Sequence, residues 1–161
     1  MRRTASNQSQ ADLFCHAVHS RAYRKENVHS TNYSNAFISV ADDCPANTGS
    51  IPPEKRDPTI ARIQYEMLFE NPYRYTSDEV IFAIYAAKNG IGPADLEARR
   101  AAYFSKGQAC LRSSPLGKRY GWGIHHDAES KVALYPRESE AYIRLSQDPT
   151  LKQVKAMKSA R

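Results

Sequence analysis

Apolar residues recur along the chain at two spacings, and proline, glycine and acidic residues cut the pattern into elements. Tyr33, Phe37, Ile38 and Val40 form a cluster of strand formers that Asp42, Asp43, Cys44 and Pro45 stop, which predicts a first strand. Residues 44–58 hold Pro45, Gly49, Pro52, Pro53 and Pro58. So few free backbone donors predict a long ordered loop. Asp57 and Pro58 are a capping residue and a first-turn proline, and Ile60, Ile63, Met67 and Leu68 then follow at helical spacing until Asn71 and Pro72. A helix is predicted there, although the alternation of Ile63, Tyr65, Met67 and Phe69 also fits a strand.

Thr76 and Glu79 have the spacing of a capping box, the stripe Val80, Ile81, Ile84, Tyr85 follows, and Gly90 ends the run. Gly92 and Pro93 open a second helix that runs through Leu96 and Tyr103 to Lys106 and Gly107. Ser114, Pro115, Leu116 and Gly117 have the residue order of a type I turn. Tyr120 to Asp127 and Lys131 to Tyr135 read as a hairpin joined by Ala128–Ser130. Ser139 caps a short helix with Tyr142, Ile143 and Leu145, and Asp148 with Pro149 starts a terminal helix carrying Leu151, Val154 and Met157. Helices and strands come in blocks and do not alternate, so the expected class is α+β: a small antiparallel sheet, with the hairpin of the C-terminal half packed against several helices. Met1 to Asn27 is polar and lacks a sustained apolar period; it reads as a tail.

Composition narrows the picture further. The chain has 161 residues, 41% of them apolar and 25% charged, which excludes a disordered, collagenous or coiled-coil chain. Its longest apolar run, Val80 to Ala87, is too short for a membrane span. Cys15, Cys44 and Cys110 are an odd number without regular spacing, so reduced thiols and a cytoplasmic location are expected. The net charge is +6, and the positive excess lies in the first thirty residues and the last third. A solvated lysine-rich terminal helix is the favoured account of it, with an anionic partner as the other.

Candidate chemistry concentrates in residues 106–127. Period-two geometry puts Tyr120, Trp122, Ile124 and His126 on one strand face, and Gly121, Gly123 and His125 on the other. Two glycines make a floor that a ligand, a ring or a packed helix can approach. Upstream lie Arg112, Ser113, Ser114, Lys118 and Arg119, whose guanidinium forks, ammonium and hydroxyls suit phosphate or carboxylate oxygens. With Trp122 and His125 as the wall, these residues make the expected anion site. A rival reading makes Cys110 a nucleophile with His125 as its base; Cys44, beside Asp43, is a poorer nucleophile. Cys15, His16 and His19 carry metal-ligating atoms but lack a second ligand pair, and no phosphate-cradling glycine loop is present. No metal or cofactor is therefore expected. Ten tyrosines and a basic final third keep a nucleic-acid or protein interaction module as a further alternative.

Several long words stand out: His29-Ser30-Thr31-Asn32-Tyr33, Asp43-Cys44-Pro45, Ile63-Gln64-Tyr65-Glu66-Met67, Asn71-Pro72-Tyr73 with Tyr75-Thr76-Ser77-Asp78, and Cys110-Leu111-Arg112-Ser113-Ser114-Pro115-Leu116 with Lys118-Arg119-Tyr120-Gly121-Trp122-Gly123-Ile124-His125. On these the chain resembles a family of small, uncharacterised bacterial proteins, a domain of unknown function, over residues 29–161. The resemblance implies no activity. It implies a boundary, because family members begin near the position of His29. Residues 1–28 are then either a lineage-specific extension or the product of a reading frame opened too early, with the second favoured, and 29–161 form one α+β domain.

Overall fold

A computed structural model describes residues 28–160. The polar tail and the Cys15, His16, His19 group lie outside the described residues. The elements in chain order are β1 (Ala36–Ser39), α1 (Ile60–Phe69), α2 (Ser77–Lys88), α3 (Leu96–Phe104), α4 (Pro115–Arg119), β2 (Trp122–His126), β3 (Val132–Pro136), α5 (Glu140–Gln147) and β4 (Lys152–Lys155). Short 3-10 turns at Pro93–Asp95 and Leu111–Ser113 lead into α3 and α4.

The strands form one sheet in the order β3-β2-β1-β4. β2 pairs antiparallel with both β1 and β3, and β4 pairs parallel with β1. The fold is thus α+β, with a sheet antiparallel except at its last pair. Residues 40–59 contain no helix or strand. This loop is tied down: Ser50 N–H donates to the Tyr120 carbonyl at 2.8 Å, and Gly49 N–H to the Glu138 carboxylate at 2.8 Å.

The register fixes two faces. Ile38, Val154, Trp122, Ile124, Val132 and Leu134 point to one face, where Tyr65 and Leu68 of α1, Val80 and Ile84 of α2, Leu116 of α4 and the intervening Leu111 complete the main core. Phe37, Gly123, His125, Ala133, Tyr135 and Gln153 point to the other, part of which α5 covers through Tyr142. A smaller apolar cluster of Phe82, Ala86, Leu96 and Phe104 joins α2 to α3. The α2 start has its capping box, with Thr76 N–H donating to Glu79 at 2.7 Å and Glu79 N–H to Thr76 at 3.3 Å.

Three expectations are corrected. Ser114–Gly117 is the start of helix α4 and not a type I turn: Ser114 Oγ accepts from Leu116 N–H at 3.1 Å, and Pro115 takes the first helical position, where a missing N–H costs nothing. The cap of α1 is Thr59 and not Asp57, its Oγ1 accepting from Arg62 N–H at 3.2 Å. The terminal helix is strand β4. Asp148 does close a capping turn, through Thr150 N–H at 2.8 Å, but the chain leaves it extended. The reason lies in β1, whose Phe37 and Ile38 are wholly buried and whose outer backbone groups need partners. Lys152 N–H donates to Asn35 O and Ala156 N–H to Ser39 O, each at 2.8 Å. An isolated helix of two turns supplies nothing comparable. Lys152 and Lys155 stand exposed on this edge strand, where charge discourages pairing with another chain.

Candidate functional site

The glycine floor is occupied. A Cβ at Gly123 would lie 2.6 Å from Phe37 Cζ and 2.6 Å from Tyr142 Cε2, so the space is filled by these two rings, which meet edge to face at 5.1 Å. Tyr142 is further fixed because its hydroxyl accepts from Val40 N–H at 3.0 Å. Gly121 serves a separate need: its φ is +75°, and its backbone passes close to the Thr48 carbonyl.

The residues expected to share one anion pocket are dispersed. Trp122 is buried against Tyr65 and Phe69, its Nε1–H donating to the Ser50 carbonyl at 2.9 Å. Ser114 is buried, and besides capping α4 it donates to Gln64 Oε1 at 2.5 Å. Ser113 Oγ contacts Met157 Sδ at 3.1 Å. Lys118 and Arg119 end α4, with Arg119 exposed and sharing no partner with Arg112 among the described residues. Arg112 instead turns to the β4 side, where its Nε–H donates to the Lys155 carbonyl at 2.9 Å and its own carbonyl accepts from Met157 N–H at 2.8 Å. Cys110 and His125 are not brought together: Cys110 reaches the β2 histidines through Tyr33, which packs on His126, and the side chains of His125 and His126 project to opposite faces.

Around Tyr33 the structure assembles a different group. Its hydroxyl lies 3.7 Å from Cys110 Sγ, the Arg112 guanidinium bears on the same hydroxyl, and Lys152 Nζ stands 5.4 Å from the ring centroid. Burial and the neighbouring thiol push the Tyr33 hydroxyl pKa above its ordinary value, and Arg112 opposes the rise. The preceding residues hold Tyr33 in place. Asp78, at the start of α2, accepts from Ser30 Oγ, Thr31 N–H and Thr31 Oγ1, each at 2.7 Å, and its own N–H donates to Asn32 Oδ1 at 2.9 Å. Four hydrogen bonds across about 47 residues of sequence anchor the strand-leading segment to a helix. Beneath the ring lies His126, fully buried and in edge contact with Tyr33 at 5.5 Å, with neither ring nitrogen hydrogen-bonded. Burial, with a smaller contribution from His125, lowers its pKa to about 4, so the imidazole is neutral.

On the other face His125 belongs to a second group. The Tyr73 hydroxyl is 2.8 Å from His125 Nδ1 and 2.7 Å from the Tyr135 hydroxyl. Tyr73 adopts the left-handed conformation at φ 57°, which a bulky residue holds only when its surroundings impose it. Here Tyr73 N–H donates to the Val132 carbonyl at 2.9 Å and fixes the turn against β3. Burial lowers the His125 pKa, while Asp127 and Asp148 oppose the shift. In the tautomer that leaves Nδ1 unprotonated, Tyr73 donates to Nδ1 and its hydroxyl oxygen is free to accept from Tyr135. With Nδ1 protonated, the Tyr73 hydroxyl accepts from it and can donate to Tyr135.

Sequence reasoning singled out Arg112, Cys110 and His125 as candidates and gave no such place to Tyr33, Lys152, Tyr73, Tyr135 or the buried His126. Tyr33 and Tyr73 both stand inside the words that carry the family resemblance, which was the one available signal. Tyr65, Tyr85 and Tyr103 pack into or against the two apolar clusters and do not offer bare stacking faces. Among the described residues no three His, Cys, Asp or Glu side chains gather into a metal-holding group, and no helix is long and apolar enough to cross a membrane. Residues 28–161 match a family of unknown function (DUF6157). No curated protein and no solved structure matches the chain.

Proposed function

We propose, for a chain that belongs to this family of unknown function and takes no activity from it, that the protein binds a small anion bearing phosphate or carboxylate oxygens at Arg112, Lys152 and the Tyr33 hydroxyl. One observation carries the reading. Two cations meet at one tyrosine, and among the described residues neither has a carboxylate within ion-pair reach. Lys155 and Lys158, next along the same segment, share Asp42 as an ion-pair partner. A fixed guanidinium and an unpaired ammonium supply charge, and the phenolic O–H supplies a directed donor. Arg112 is retained from the sequence reading. The glycine floor is not, and Trp122, Ser114 and His125 have other partners. Arg119, exposed, and Lys118, half-buried, end α4 and stand outside the proposed site.

Inorganic phosphate is the probe. Phosphate should raise the melting temperature of the protein, and Lys152→Gln and Arg112→Ala should each remove most of that rise, while Arg119→Ala leaves it unchanged. Lys152 is exposed, so its substitution reports on binding even if Arg112→Ala disturbs the β4 edge. An unchanged phosphate response in both Arg112→Ala and Lys152→Gln would overturn the reading.

A further inference from the structure

We infer that Tyr73, His125 and Tyr135 form a proton-operated latch at the edge of the sheet: when His125 takes up a proton, the turn carrying Tyr73 swings away and uncovers the outer edge of β3. That turn is what covers the edge. Tyr73 N–H donates to the Val132 carbonyl at 2.9 Å and Val132 N–H to the Tyr75 carbonyl at 2.8 Å, so the turn pairs both the N–H and the C=O of Val132. The isolated bridge between Thr76 and Lys131 extends the cover by one residue. The latch lies across the sheet from Tyr33 and does not depend on anion binding, because His125 and His126 project to opposite faces.

Two contributions hold the turn closed and two oppose them. The backbone pair with Val132 holds it, and so does the Tyr73 hydroxyl, through its contacts of 2.8 Å with His125 Nδ1 and 2.7 Å with the Tyr135 hydroxyl. Strain opposes: Tyr73 stands at φ 57°, a conformation that a bulky residue leaves once it is released. Hydration of His125 opposes as well. Its half-buried ring meets the edges of Tyr73 at 5.6 Å and Tyr135 at 6.4 Å, a cover that a neutral imidazole tolerates and an imidazolium disfavours. A proton on Nδ1 also displaces the Tyr73 O–H from that nitrogen, and the hydroxyl must then donate to Tyr135 or to water.

The charged and titratable groups around His125 set the sign. Tyr73 faces it from the turn, with a hydroxyl that burial keeps protonated, and Tyr135 faces Tyr73 from β3. Asp127 at the end of β2 and Asp148 at the end of α5 favour the imidazolium, His126 is its neighbour along the strand, and burial outweighs the two carboxylates, so the His125 pKa is lowered. Phe37 of β1 and Gln153 of β4, next in the same row of the sheet, carry no charge. An open state that hydrates the ring binds the proton more tightly than the closed one. The latch is therefore closed above the free histidine value of about 6.5 and opens as the pH falls below it.

Amide hydrogen exchange on the full chain, corrected for the intrinsic effect of pH on exchange, tests the latch. Protection of the Tyr73 and Val132 amides should fall by about threefold to tenfold between pH 7 and pH 5, measured relative to Ile124, whose buried amide reports opening of the whole molecule. His125→Gln, whose side-chain oxygen can still accept from Tyr73, should keep the protection seen at pH 7 and lose its pH dependence. Tyr73→Phe, which removes both hydroxyl contacts, should show reduced Val132 protection already at pH 7, and it serves if His125→Gln does not fold. A ratio of Val132 to Ile124 protection that is the same at both pH values overturns the proposal. So does a ratio that changes equally in His125→Gln, or Val132 protection in Tyr73→Phe that matches the unaltered protein at pH 7.

Discussion

His126 shows how one side chain couples folding to pH. Unfolded, it titrates near the free value of about 6.5. Folded, its pKa is about 4, because burial disfavours the charged ring. Between those values the unfolded chain binds a proton that the native state refuses. Stability is therefore complete above pH 6.5 and falls as the pH is lowered toward 4, by about 3 kcal/mol for this group. His125, whose pKa is also lowered by burial, adds to the same acid limb. His126→Phe keeps an aromatic ring against Tyr33 and removes two orphaned nitrogens, so it should be neutral or stabilising at pH 7 and should lose much less stability between pH 7 and pH 5. Urea midpoints of the two proteins at both pH values measure this. Equal acid losses in the two would contradict the assignment.

The capping box of α2 and the β2–β3 hairpin formed where the sequence placed them, and the last segment, whose state a neighbouring strand decides, did not. The α2 start was legible because Thr76 and Glu79 satisfy each other's backbone groups within four residues. The hairpin of β2 and β3 was legible from alternation and from the turn at Ala128–Ser130. Leu151 to Met157 has spacing that suits a helix, yet it became β4 because β1 offered it a row of backbone partners that no local pattern records. The same logic governs the glycine floor. The α5 layer packs on β2 only where Gly123 leaves room, so Gly123→Ala should force the Phe37 or Tyr142 ring aside and cost about 1–3 kcal/mol. Gly107→Ala, where an added Cβ meets nothing within 4 Å, is the control and should leave the melting temperature nearly unchanged. A Gly123→Ala protein as stable as this control would mean that the α5 layer is loosely packed.

Across the whole molecule, charge and topology act together. The net charge is +6, and the C-terminal strand brings Lys152 and Lys155 to the edge where Arg112 already lies. Phosphate should thus bind more weakly as sodium chloride rises through the range in which surface charges are screened, and binding that ignores salt would argue for a site elsewhere. The sheet also keeps the two polar groups apart. Tyr33, Cys110 and His126 share the side of the main core, and Tyr73, His125 and Tyr135 share the other, because adjacent residues of one strand project oppositely.

The sequence alone determined the α+β class, the ordered proline loop, the caps at Thr76 and Ser139, and which residues of β2 share a face, because these follow from steric and hydrogen-bond preferences spanning a few neighbouring residues. Only the tertiary structure decided that the last apolar stripe is a strand, that two rings fill the space over Gly123, and that Arg112 meets Tyr33 and not Arg119. Those outcomes depend on which distant backbone groups lack partners and which volumes remain to be filled once the layers close, and no local window of sequence contains that information.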